Sequence, residues 1–149
     1  MHQETCNLGR LSLLLFIVLY GANLAFRALN FLVVSFMVGD FVGGPYSLVV
    51  GALVSTIFAY PFAWLVVFIA DNSSKNPFII FLAAFTGCGV PFWPSLLFPS
   101  GHGIHLRNWG VTIYDHGTLT LAGAAIQLAY ITLMALSMTA AWRACRKTA

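Results

Sequence analysis

The fold is decided by Tyr20-Gly-Ala-Asn23-Leu-Ala-Phe-Arg27-Ala-Leu-Asn30, which places a permanent charge inside an apolar run from Leu11 to Phe41. Tyr20, Asn23, Arg27 and Asn30 are spaced 3, 4 and 3 apart. On a helix this spacing puts all four side chains in one polar stripe. A charge at membrane depth is costly, so it usually faces a bundle interior or a wet cavity. The segment therefore predicts a membrane-spanning helix whose polar stripe faces protein.

The composition is typical of a chain surrounded by lipid. Of its 149 residues, 60% are hydrophobic and 7% are charged, whereas a soluble domain carries about 25% charged residues. A core of this size cannot hide so much apolar surface from water. We predict an all-α membrane protein in a single domain, 1–149. The scattered basic residues form no surface for nucleic acid.

The apolar segments predict a bundle of four transmembrane helices. The first continues well beyond the apolar region of a signal peptide, about 7–15 residues, so it is interpreted as a retained signal anchor. Gly and Pro residues are expected to break the third span, and a long outer loop, 99–117, precedes the fourth. The predicted spans are 11–37, 47–70, 78–98 and 118–142.

The distribution of Lys and Arg predicts the orientation. With four spans, both termini share a side, and that side also holds the loop with Lys75. Arg107 is the basic residue of the other side. The positive-inside rule then places both termini in the cytoplasm, and a bacterial inner membrane is expected. The basic residues of the predicted cytoplasmic side are Arg10, Lys75, Arg143, Arg146 and Lys147.

Small residues recur at every fourth position of the second span, at Gly51, Ser55, Ala59 and Ala63. Such a ridge lets another helix approach closely. We predict a helix-packing surface here, which could meet another protein.

The predicted spans each supply a polar group at nearly one depth. In the third span this group is the carbonyl of Gly87, which Pro91 cannot bind because it lacks an N–H. Three interpretations of this layer stay open. Arg27 could fix helix register by donating to neighbouring oxygens, it could bind an anion such as a carboxylate or headgroup, or it could contact another subunit. The side chains of the predicted layer are Arg27, Asn23, Asn30, Ser55, Thr56 and Gln127.

The outer loop holds candidate metal ligands in two short pairs. Imidazole and carboxylate groups suit zinc or copper. Histidines are also ordinary in a polar loop at a wet interface, and pH sensing or catalysis at the outer face is a third interpretation, so all three stand. The candidates are His102, His105, Asp115 and His116.

The three cysteines, Cys6, Cys88 and Cys145, are isolated in the sequence, with no CxxC pair and no metal-ligand spacing. We expect no disulfide framework and no redox activity from paired thiols. No cofactor is predicted from them.

The sequence favours a non-enzymatic function. The first hypothesis is an accessory, regulatory or immunity/exclusion-type subunit that packs against another membrane protein within the lipid bilayer. The alternative is a small transporter or channel for an anion or polar solute, with Arg27 in the path. Four helices alone rarely enclose a pore, so the alternative needs self-association.

Overall fold

The computed structural model describes residues 8–38, 45–93, 106–108, 111–115 and 118–147. Four helices make up most of this part: α1 (Leu8–Val38), α2 (Pro45–Ser73), α3 (Pro77–Gly89) and α4 (Leu121–Lys147). Three short strands lie between α3 and α4, and they pair antiparallel in the order β1 (Leu106–Asn108), β2 (Val111–Asp115) and β3 (Thr118–Leu119). The helical bundle is confirmed, and the small sheet is an addition to the predicted all-α class.

Three of the helices are long and apolar enough to cross a membrane. The qualifying segments are Leu8–Leu32, Leu48–Ser73 and Leu121–Arg146. Helix α3 has 13 residues, so it is about 20 Å long, whereas the hydrocarbon layer is about 30 Å thick. The third predicted span, 78–98, is thus interrupted: α3 ends at Gly89, residues 90–92 form a turn, Trp93 is helical again, and 94–98 lie outside the described residues.

Local chemistry sets both ends of α3. At the start, the side chain of Asn76 accepts a hydrogen bond of 2.9 Å from the backbone N–H of Phe78, and Pro77 occupies the first turn, where its missing N–H costs nothing. At the end, Pro91 has no N–H with which to continue the helix. The backbone N–H of Val90 donates instead to the carbonyl of Gly87 at 3.3 Å. That carbonyl was predicted to need a partner other than Pro91, and the chain supplies this partner locally.

The helices form a ring in which α1 packs against α2, α2 against α3, α3 against α4, and α4 against α1. Their buried faces share one apolar core. On α1 the core side chains recur every four residues, as expected for one helix face. The largest fully buried apolar side chains include Leu15, Leu19, Val67, Ile80, Ile131, Met134 and Met138.

The outer surface of the bundle is apolar as well. Leu13 and Phe58 are 61% and 67% exposed, and large apolar side chains point outward from all four helices. Exposed hydroxyls on this surface donate to carbonyls of their own helix, as Thr132 does to Leu128 at 2.7 Å and Ser137 to Leu133 at 2.8 Å. Lipid offers no hydrogen-bond partners, so such internal pairing suits a helix that faces a bilayer.

The cysteines differ in state. Cys88 is free and buried, whereas Cys145, near the end of α4, is disulfide-bonded. The sequence predicts no disulfide framework, but Cys145 does form a disulfide. Isolated cysteines give no sign of such a bond in the sequence, because pairing depends on which parts of the chain meet in the fold.

Candidate functional site: a polar layer between the long helices

The candidate site is a layer of polar side chains from α1, α2 and α4. Asn23 lies at its centre and is fully buried. Its amide nitrogen donates to the hydroxyl oxygen of Thr56 on α2 at 3.0 Å, and the hydroxyl of Tyr130 on α4 donates to its amide oxygen. Thr56 in turn donates to the carbonyl of Ala52 at 2.8 Å. Three helices are thereby joined through one amide group.

Tyr130 is held by aromatic rings as well as by Asn23. The Phe26 ring meets it edge-on with the centroids 4.8 Å apart, and the Phe92 ring does the same at 5.3 Å. Edge-to-face pairs of this kind stabilise a ring orientation. Phe92 lies in the turn that follows α3, so the chain just beyond the short helix contributes a side chain to the layer.

Arg27 lies one turn beyond Asn23 on α1 and points to α2. Its Nη2 atom donates to the hydroxyl oxygen of Ser55 at 2.6 Å. The guanidinium occupies the space that a side chain at position 51 would need, since a Cβ on Gly51 would stand 2.7 Å from Nη1. A Cβ at position 51 would therefore displace the flexible guanidinium of Arg27, a contact that the helical spacing of small residues did not reveal.

The charge of Arg27 has no carboxylate partner within the described residues. Asp71, the acid of α2, is at the opposite end of that helix and pairs with Arg146. A guanidinium has five N–H donors and no acceptor. The one described hydrogen bond from Arg27 to a side chain goes to a neutral hydroxyl. The layer is thus polar, partly buried and positive.

The structure brings most of the predicted layer together. Asn23, Arg27, Ser55 and Thr56 meet as described above, while Asn30 is half-buried one turn further along α1. Gln127 is buried, at 8% exposure, and the α4 side chain that bonds to Asn23 is Tyr130. Gln127 and Tyr130 are three residues apart and therefore lie on the same face of α4. This spacing is the sequence signal that could have identified Tyr130.

The small-residue ridge of α2 packs within the chain. Gly51 and Ser55 face Arg27 of α1. Ala59 and Ala63 are buried, and the backbone of Ala63 lies against Gly87 of α3. A partner protein would therefore have to use another surface, because this ridge is already covered by α1 and α3.

The predicted metal ligands lie mostly outside the described residues. This holds for His102, His105 and His116. Asp115 is the last residue of β2 and pairs with Thr118 of β3. No group of three or more His, Cys, Asp or Glu side chains occurs in the part of the chain that the structure describes.

A second polar cluster joins α2 to α4 at the end of the bundle where α1 begins and α4 ends. One carboxylate oxygen of Asp71 accepts from the indole N–H of Trp142 at 2.6 Å and from the guanidinium of Arg146. The guanidinium carbon of Arg146 also lies 4.9 Å from the centre of the Trp142 ring. The predicted topology placed these residues on one side of the membrane, but sequence reasoning did not pair them.

No protein-family model matches the chain, and neither does any curated protein or solved structure. The functional conclusion is therefore drawn from the side chains and their contacts.

Proposed function

We propose that the chain is a non-enzymatic subunit of a membrane complex, of accessory, regulatory or immunity/exclusion type, in a bacterial inner membrane. The observation that carries this proposal is the position of Arg27. It holds a permanent charge at membrane depth, and its described side-chain hydrogen bond goes to the neutral Ser55. A second membrane protein would supply the anionic group that neutralises it.

The energetic argument concerns the burial of an unpaired charge. Inserting an arginine at the centre of a transmembrane helix costs about 2.5–3.5 kcal/mol on insertion scales. A hydroxyl acceptor offsets part of this cost, but an ionised carboxylate makes a stronger, charge-assisted bond. Association with a partner that offers a carboxylate would thus be favoured at this depth.

The interior of the chain favours an accessory role over that of a monomeric channel. Leu15 and Leu19 of α1, and Ile131 and Met134 of α4, are fully buried. Within the layer, Asn23 bonds to both α2 and α4. The described helices therefore enclose a filled core, and a path for solute would need a second copy.

The test is whether co-purification depends on Arg27. The tagged chain would be isolated in gentle detergent at native expression, and bound membrane proteins would be quantified by mass spectrometry. We expect Arg27→Gln to lose a partner that the wild-type chain retains. Arg27→Lys should retain a smaller amount of the partner, because the positive charge remains while the planar, two-pronged hydrogen-bonding geometry of the guanidinium is lost.

Two further variants separate the charge from the fold. Arg10→Gln removes an exposed cation from the same helix and should leave the complex intact. Gly51→Ala keeps the charge but displaces the guanidinium, so it should weaken the complex without removing the arginine. Equal recovery of the partner with wild type, Arg27→Gln and Gly51→Ala would refute the proposal.

The second candidate function is an oligomeric transporter or channel for an anion or polar solute. It is favoured by the convergence of polar side chains from three helices beside Arg27. Liposomes containing the purified chain would be assayed for anion flux, with Arg27→Gln as the variant. Loss of flux in the variant would support this function, whereas flux that survives the substitution would exclude Arg27 from the path.

A further inference from the structure

A groove of about 630 Å³ lies between the start of α3 and the end of α4, far from Arg27. Its volume is within the range of about 300–1,000 Å³ that is typical of ligand sites. Phe78, Phe81 and Leu136 supply apolar walls, and the small side chain of Ala140 leaves the space between them. The groove is therefore suited to a hydrocarbon chain.

The groove has few polar groups, and they differ in whether they are free to bind a ligand. The hydroxyl of Thr139 donates to the carbonyl of Ala135 at 2.8 Å, so it is not available to donate to a ligand. Arg143 is the charged residue of the lining and is exposed at the mouth. From Leu136 to Arg143 is seven residues, or about 10 Å along the helix axis. The groove thus changes from apolar to cationic over about the distance between upper acyl carbons and a headgroup.

Among the described residues, the surrounding charges leave Arg143 open to an outside anion. Asp71, the carboxylate at this end of α2, is engaged by Arg146 and Trp142. Within the described residues, no ion pair involves Arg143. Arg10 and Lys75 lie at the same end, so the local field is positive and attracts a negatively charged lipid surface.

We propose that this groove binds one anionic phospholipid, with its phosphate on Arg143 and an acyl chain between Phe81, Leu136 and Ala140. The apolar length of the groove favours a lipid over a free anion, and the single cation favours a negatively charged headgroup over a zwitterionic one. The site shares no residue with the polar layer, so it stands independently of the accessory role.

The experiment measures lipid retention by native mass spectrometry of the full chain in mild detergent. The protein would be titrated with phosphatidylglycerol and with phosphatidylcholine of the same acyl chains. We expect one phosphatidylglycerol to be retained and phosphatidylcholine to be retained several-fold less. Arg143→Gln should lower phosphatidylglycerol retention about fivefold, which corresponds to about 1 kcal/mol for one basic residue near the headgroups.

Matched variants make the outcome specific. Arg10→Gln removes a cation from the same end of the bundle but away from the groove, so retention should not change. Arg143→Lys keeps the charge and should restore most of the retention, and Ala140→Phe should reduce it by filling the groove. Equal retention of the two lipids, or equal losses in Arg143→Gln and Arg10→Gln, would overturn the proposal. Displacement of the lipid by inorganic phosphate would also overturn it, because the site would then bind a free anion.

Discussion

A Cβ atom added to Gly87 would stand 2.5 Å from the Cα of Ala63. Helices α2 and α3 therefore touch backbone to backbone at this point. Lipid provides no hydrophobic driving force between helices, so close packing of this kind is a main source of helix association. The contact also shows what the small residues of α2 do, since Ala63 belongs to the ridge predicted from the sequence.

Substitution of Gly87 should separate these two helices. We expect Gly87→Ala to destabilise the bundle by about 1–3 kcal/mol, the usual cost of forcing an extra carbon into a packed interior. The obstacle is backbone, which cannot rotate away. Unfolding would be followed by circular dichroism as a denaturing detergent is added.

Gly21→Ala is the matched control for that experiment. Nothing lies within 4 Å of a Cβ at Gly21, so the same change there should be neutral or slightly stabilising, by up to about 1 kcal/mol from helix propensity. Equal stability of the Gly87 and Gly21 variants would contradict the backbone contact.

The hydrogen bond between Asn23 and Thr56 should appear as a coupling energy. We expect a double-mutant cycle with Asn23→Ala and Thr56→Ala to give about 0.6–2 kcal/mol, the range found for side-chain hydrogen bonds in membrane helices. The two side chains are buried and 3.0 Å apart. A control cycle with Thr132, whose hydroxyl is bonded within its own helix, should give no coupling with Asn23. Additive effects of Asn23→Ala and Thr56→Ala would count against the network.

Asp71 should matter more as a hydrogen-bond acceptor than as a charge. Its side chain and that of Arg146 are 21% and 30% exposed, so removing the charge alone with Asp71→Asn should cost about 1 kcal/mol or less. Asp71→Leu also leaves the buried indole N–H of Trp142 without its acceptor, which should cost about 1–3 kcal/mol more. Thermal unfolding in detergent would rank the two variants. Equal melting temperatures would show that the Trp142 bond contributes little.

The orientation of the chain can be measured with C-terminal fusions. Because five basic residues, Arg10, Lys75, Arg143, Arg146 and Lys147, gather at one end, we expect that end to be cytoplasmic. A fluorescent-protein fusion should then fluoresce, and an alkaline phosphatase fusion should be inactive. The disulfide at Cys145 is a feature of oxidising compartments and favours the opposite side. An active phosphatase fusion would overturn the charge-based topology and explain the disulfide.

The sequence predicted well those features that depend on periodicity. The 3, 4 and 3 spacing placed Asn23 and Arg27 on one face, and the structure turns that face toward α2. Apolar length located α1, α2 and α4 to within a few residues. These features are local, because a helix repeats along its own axis whatever its neighbours are.

The remaining features depend on which helices meet, so the sequence could not predict them. The carbonyl of Gly87 was expected to need a partner other than Pro91, but only the fold identifies that partner as the N–H of Val90. Tyr130, which the comparison of depths did not name, is the α4 side chain that bonds to Asn23. The ridge on α2 was equally compatible with an external partner, until the positions of α1 and α3 showed that it is covered.

The cluster at Asp71 sets an order of events during synthesis. Asp71 and Arg146 are 75 residues apart in the chain, and a ribosome adds about 5–20 residues per second. About 4–15 s therefore pass between the synthesis of Asp71 and the synthesis of its Arg146 and Trp142 partners. During that interval α2 and α3 can already be in the membrane, but the end of α2 lacks its contacts with Trp142 and Arg146. A nascent chain that stops before Trp142 would keep Asp71 without these two donors, which is a form that membrane quality-control proteases could recognise.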